Sequence, residues 1–293
     1  MTRQQRIRLA PHLEALFETP RMHRIENDPI AIPRRYKDPK EIELVGWLAS
    51  SLAYGRVSLF RPVIEQVLSL SNGSFYLYLR DFDLQKERHR FHRIYYRFNQ
   101  PSDILCLVYL MSRIVRQYGG IKPFFLSCYR EEEIDLGAAL SRFVAGIKAI
   151  DTRPVYHTAE KPYGLLYFFP NPAQGSSCKR FNLYLRWMIR PNDGIDFGLW
   201  KEMPSSKLII PLDTHIARIG RYLGLTSRKT ADLKMAREIT KNLKFFDPTD
   251  PLKYDFSLCH LGISQDCPAS RSPIPEKCRA CLLQPACKRG SRL

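Results

Sequence analysis

The chain lacks any apolar stretch long enough to span a bilayer. Its longest strongly apolar run, "ILCLVYLM" at 104–111, falls far short of the ~20 residues a spanning helix needs, so no membrane partner is expected. The first twenty residues, "MTRQQRIRLAPHLEALFETP", include basic residues but neither a continuous apolar core nor a small-residue cleavage site. No secretory signal is read there, and a cytoplasmic location is expected. Period-two alternation of apolar residues is missing, as is any internal repeat, which argues against sheet-based and solenoid architectures. Acidic residues are scarce beside basic ones, 29 against 46, for a formal net charge of +17. That imbalance favours a polyanionic partner through long-range attraction and counterion release. Charge alone does not separate DNA from RNA.

What the chain does have is helical periodicity. At 293 residues and 44% hydrophobic content it can bury a sizeable core in one large domain or two smaller ones. "KDPKEIELVGWLASSLAYG" opens with Asp38 as a helix cap, Pro39 at the first helical position and Glu41 where a capping box places its acid, then closes on Gly55. Residues 101–120 read as a helix apolar nearly all round, stopped at Gly119–Gly120, and 134–150 as another, capped by Asp135. Four prolines and two glycines break the pattern between 151 and 175. Helices resume at about 176–190, 213–223, 230–244 and 250–263, the last announced by Asp250–Pro251. The fold class is all-α.

Cysteines cluster at the end. Cys106, Cys128 and Cys178 are scattered, whereas Cys259, Cys267, Cys278, Cys281 and Cys287 fall in the last 35 residues. From Cys267 onward the spacing is C-x10-C-x2-C-x5-C. In an unsecreted chain such clustering points to a metal centre and not to disulfides. Four thiolates at Cys267, Cys278, Cys281 and Cys287 suit either a structural zinc or an iron–sulfur cluster. Cys259 reads as a packing residue on the helix before them.

The stretch "IPLDTHIARIGRYLG" at 210–224 sets Asp213 at the mouth of an amphipathic helix, where an aspartate accepts a backbone N–H bond as a cap. Followed by the four-cysteine tail, Asp213-Thr214-His215-Ile216 with Arg218 resembles the helix-hairpin-helix (HhH-GPD) DNA glycosylase superfamily, in particular its endonuclease III-like iron–sulfur branch. The last three cysteines keep that branch's spacing, and the first gap is four residues longer. Upstream, Lys179-Arg180-Phe181-Asn182 looks like the segment that opens the second hairpin helix of the family, although the hairpin has a single Gly175 where the family has two glycines. As a whole the chain most resembles an uncharacterised bacterial family allied to this superfamily, so no substrate is carried over.

The resemblance implies a six-helix barrel at 38–192 carrying the hairpin, and a flanking helical domain made of 1–37 and 193–293 with the cysteine cluster at 267–287. It implies a [4Fe–4S] cluster, with structural zinc as the alternative. It also implies Asp213 as catalytic carboxylate and Lys179 as nucleophile of a DNA N-glycosylase with AP lyase activity, acting in base-excision repair. Lysine and aspartate would then lie on different domains and meet across a cleft. The expected partner is duplex DNA with the target base flipped out, bound by a monomer.

DNA contacts are expected from Gly175, Ser176 and Ser177, whose backbone N–H groups at a helix start suit a phosphate. At ~100° per residue Arg186 and Arg190 share the Lys179 side of that helix, which reads either as a phosphate-binding stripe or as a solvated basic face. Tyr54 and Arg56 stand where the family places a residue that fills the gap left by the flipped base; Tyr54 also fits a packing role at a helix end. His215 reads as a phosphate contact or as a capping or core residue. Two other readings stay open: a structure-specific DNA- or RNA-binding protein that keeps the scaffold without the chemistry, and a zinc-stabilised RNA-binding module.

Overall fold

The structure, a computed structural model, describes residues 1–270 and 272–290, and among these every regular element is helical. In chain order they are α1 (Arg3–Glu18), α2 (Pro39–Leu52), α3 (Val57–Ser69), α4 (Phe75–Arg80), α5 (Leu84–Glu87), α6 (Pro101–Tyr118), α7 (Ile121–Cys128), α8 (Gly137–Ala149), α9 (Arg153–Tyr156), α10 (Tyr163–Phe168), α11 (Lys179–Ile189), α12 (Thr214–Leu223), α13 (Leu233–Leu243), α14 (Asp255–Ile263) and α15 (Pro275–Arg279). No helix among the described residues is long and apolar enough to cross a membrane.

The chain divides into two compact units, Met1–Arg24 with Gly175–Leu293 and Ile25–Gln174. The sequence drew the boundaries after 37 and 192, which puts Lys179 apart from Asp213; in the structure both belong to the first unit. Ion pairs explain the shift. Arg186 of α11 and Arg190 at its C-cap bind aspartates at 193, 196, 250 and 255, which ties α11 to the segments that follow it.

In the Ile25–Gln174 unit, α6 supplies the central rod foreseen from its all-round apolarity, with Ile104, Leu107, Val108, Met111 and Ile114 fully buried. Gly119, left-handed at φ 79°, ends it. Trp47, Phe124 and Phe125 surround Phe143, with ring centroids 4.8 to 5.9 Å away. Residues 70–100 fold into α4, α5 and a tight turn in which Tyr96 and Asn99 exchange both backbone bonds.

Capping departs from the local pattern on α2. Asp38 accepts from Lys40 N at 2.7 Å as expected. Glu41 does not complete a box on its own helix. Its carboxylate accepts from Ser74 Oγ at 2.5 Å and from the backbone N–H groups of Phe75 and Tyr76 at 3.0 and 3.1 Å, and so caps α4. Glu43, two residues on, accepts from Ile121 N at 2.6 Å and caps α7. A carboxylate beside a helix N-terminus satisfies orphan donors and meets the positive end of the dipole, whichever helix supplies it.

In the other unit, α1 opens on a Thr2–Gln5 capping box and buries Leu9, Leu13 and Leu16. Glu14 of this helix accepts from Lys253 Nζ at 2.8 Å and from Tyr254 Oη. Asp213 and Asp232 cap α12 and α13. The last long helix begins at Asp255, five residues after the Asp250–Pro251 signal, because the Asp250 carboxylate is held by Arg190 at 2.9 Å and is not a cap.

Glu41 is 9% exposed and serves three donors at once. Glu41→Ala should therefore cost the Ile25–Gln174 unit about 2 kcal/mol, within the range for losing a charged cap and leaving buried N–H groups unsatisfied. The shift in urea midpoint measures it, and a midpoint unchanged from wild type would show the cap to be dispensable.

Candidate functional site

The site is built where α12 packs against α14. Asp213, in extended conformation at the N-cap, turns Oδ1 to Ile216 N at 2.7 Å. Its other oxygen, Oδ2, accepts from the Cys259 thiol of α14 at 3.3 Å. Both side chains are half-buried. The approach of the two helices is close because position 262 is glycine: a Cβ there would sit 2.2 Å from His215 Nδ1. The His215 ring therefore rests on the Gly262 backbone. Burial pushes its pKa below the ordinary value; Asp213 opposes that shift, while Arg218, Lys179 and His260 reinforce it. The imidazole is neutral at neutral pH and its buried Nδ1 has no hydrogen-bond partner among the described residues, so His215 takes the core role and does not offer a cation to phosphate.

Lys179 begins α11 and is half-buried. Its charge, like that of Asp213, acts on the His215 ring. The turn before it is strained. Exposed Gly175 has φ 81°, and Cys178, the N-cap, is left-handed at φ 47° with a β-carbon, where an L-residue carries a cost. Ser176 Oγ accepts from Cys178 N at 3.2 Å, and Asn182 Nδ2 donates to Ser177 O at 2.8 Å. Ser176 and Ser177 are half-buried, and Gly175 O accepts from Leu233 N at 3.0 Å.

Arg186 and Arg190 correct the expectation of an outward basic stripe. They do share one side of α11, but that side faces inward, and each side chain is 3% exposed. Arg186 reaches Asp196 at 3.2 Å and Asp255 at 2.5 Å; Arg190 reaches Asp196 at 2.7 Å, Asp250 at 2.9 Å and Asp193 at 3.1 Å. Burial pushes the Asp255 carboxyl up to about 6, with Arg186 opposing the shift and Asp213 and Asp196 adding to it. Neither arginine is placed to meet phosphate.

Tyr54 and Arg56 belong to the Ile25–Gln174 unit. Tyr54 is 8% exposed, its hydroxyl donates to Asn99 Oδ1, and its ring lies 4.6 Å from Tyr96 and 5.0 Å from Tyr167. It packs, and is not a wedge held out to a partner. Arg56 is exposed beside left-handed Gly55.

The four tail cysteines come together. Cys267, Cys278, Cys281 and Cys287 line a single cavity of about 40 Å³, with Tyr222, Lys277 and Arg289 among its walls. No cysteine of the chain is in a disulfide. The loop is anchored to α12 and α14: Cys267 N donates to Leu261 O at 2.7 Å, Arg218 donates to Cys267 O, and Lys288 N donates to Tyr222 O at 2.9 Å. Burial raises the Cys267 and Cys281 thiols, and the neighbouring thiols add to it; Arg218 and Arg289 pull Cys267 the other way. Among the described residues no three His, Cys, Asp or Glu side chains stand in ligating geometry.

Sequence reasoning missed the Cys259 contact with Asp213 and the fit of Gly262 under His215. A signal was present: Asp255, Cys259 and Gly262 follow i, i+4, i+7 spacing, which makes one face of a helix.

The family described as "Protein of unknown function (DUF2400)" matches residues 28–264. The chain belongs to this family. The DUF2400 match includes Lys179, Asp213 and Cys259 and stops short of Cys267, so the cysteine loop lies beyond it. No curated protein and no solved structure matches the chain.

Removing one partner of a buried ion pair strands the other. Arg190→Ala, which leaves fully buried Asp196 short of a counter-charge, should cost about 3–5 kcal/mol, read from urea denaturation at neutral pH. Arg56→Ala, measured beside it, should leave the midpoint where it was.

Proposed function

We propose that the chain binds duplex DNA and cleaves an N-glycosidic bond, with Asp213 as the carboxylate and Lys179 as the amine nucleophile. One observation carries the reading. Lys179, at the start of α11, and Asp213, at the cap of α12, both act by charge on the His215 ring, an amine and a carboxylate far apart in sequence that bear on one imidazole. The net charge of +17 draws the polyanion, and the target base leaves the stack before it can react.

As the glycosidic bond breaks, positive charge grows on the sugar and Asp213 stabilises it. The Lys179 amine nitrogen forms a bond to C1′ with its lone pair while the base departs with the electron pair of the old bond. Loss of the amine proton and opening of the sugar ring give a Schiff base, from which the strand is cut. The cap does not disable Asp213. A carboxylate offers about four acceptor positions, and the bonds from Ile216 N and the Cys259 thiol leave the others for the sugar.

The cysteine loop supports a bound metal centre in the same protein. Four thiols around one cavity are a donor set that fits a [4Fe–4S] cluster or a structural zinc, held by Cys267, Cys278, Cys281 and Cys287. Bound there, the group would cross-link the tail. Binding would release protons from thiols that burial keeps protonated. Protein purified without oxygen should be brown if the centre is iron–sulfur and colourless if it is zinc. Cys281→Ser should abolish the colour and speed proteolysis of 265–290 while the urea midpoint of the helical core stays put.

Borohydride trapping tests the chemistry. Wild type mixed with an abasic duplex and borohydride should yield a covalent adduct that Lys179→Gln does not form. Asp213→Asn should slow base release by about 10²–10³-fold, with DNA affinity close to wild type. A second reading, a structure-specific nucleic-acid binder without chemistry, draws on the fact that both oxygens of Asp213 already accept a bond. Tight binding of the abasic duplex with no wild-type adduct would decide for it.

A further inference from the structure

We infer that Cys259 is a positioning residue for Asp213, its thiol turning the carboxylate plane into one fixed orientation; this rests on the reading of Asp213 as the working carboxylate. A single bond to Oδ1 would leave the carboxylate free to turn, because the terminal torsion of aspartate has a broad, nearly flat profile. A second bond, from a different helix to the other oxygen, removes that freedom. Ile216 N on α12 provides the first at 2.7 Å and Cys259 Sγ on α14 the second at 3.3 Å.

The neighbours make a donor necessary at this place. Asp255 lies one turn before Cys259 on α14 and is electrostatically coupled to Asp213. Its Oδ1 is buried with no hydrogen-bond partner among the described residues. The two carboxylates repel, and the Cys259 thiol gives Asp213 a partner on the α14 side that offsets this. A thiol is a weak donor. It fixes direction while leaving most of the negative charge on the oxygens, which is what stabilising a cationic sugar requires. Gly262, one turn further on, lets α12 close on α14 so that the bond can form.

Infrared difference spectroscopy reads the bond without reference to activity. The S–H stretch of Cys259 is identified as the band lost in Cys259→Ser. It should move to higher frequency in Asp213→Asn, since the single amide oxygen stays on Ile216 N and the NH2 group left facing the thiol cannot accept. Asparagine caps helices as well as aspartate does, so the fold is kept. A band that does not move overturns the proposal.

Kinetics adds a second arm. Cys259→Ala should lower kcat for base release about 10-fold with KM changed less than about 2-fold, the pattern of a lost orientation. Cys259→Ser, which keeps a donor, should recover to within about 3-fold of wild type. Equal loss in both variants, or no loss in Cys259→Ala, overturns the proposal. If wild type neither releases base nor traps, the glycosylase reading falls, and the infrared arm still decides whether Cys259 holds Asp213.

Discussion

The seam between α12 and α14 is the constraint on which the rest of the candidate site depends. Three residues of α14, at one-turn intervals, meet the N-terminal end of α12: Asp255 by charge, Cys259 by a hydrogen bond to Asp213, and Gly262 by leaving room for His215. The same two helices then carry the cysteine loop, through Arg218 and Tyr222 on one and Leu261 on the other. A shift of one helix along the other would move the carboxylate, the imidazole and the thiol cavity together.

Behind this seam lies a buried electrostatic lattice. Arg186 of α11 and Arg190 at its C-cap engage four aspartates from three later segments. Ions taken out of water are costly unless each is paired and hydrogen-bonded, so the lattice admits few alternative arrangements of the chain. It ties the C-terminal end of α11 to the segment after it and to Asp255 of α14, the helix that bears Cys259. Stability here serves geometry.

What could be read from sequence alone depended on whether the cause was local. Asp213, Asp38 and the Gly119 stop were legible because a cap or a left-handed terminus is decided by residues within one turn. The all-α class followed from periodicity for the same reason. Arg186 and Arg190 were placed on the right face and pointed the wrong way, since a helical wheel shows which residues share a side and not where the opposing carboxylates come from. Glu41 sat at the third helical position of α2, yet its donors lie on α4, a contact that no short window contains. Tyr54 illustrates the same gap: an aromatic residue at a helix end becomes a wedge or a packing residue according to what surrounds it, and here Tyr96, Asn99 and Tyr167 surround it. The cysteine spacing was legible as a ligand set, whereas the joining of its loop to α12 needed the fold.

The two glutamates on α2 have a bearing on how the chain assembles. Helices of six and eight residues, the lengths of α4 and α7, do not persist alone in water, because nucleation is too costly for so few bonds. Each has its first turn secured by a side chain borrowed from α2. α2 carries its own Asp38 cap, so the helix that needs no loan secures the first turns of the two that do. In that unit a glutamate pair thus couples two remote turns to the docking of one rod.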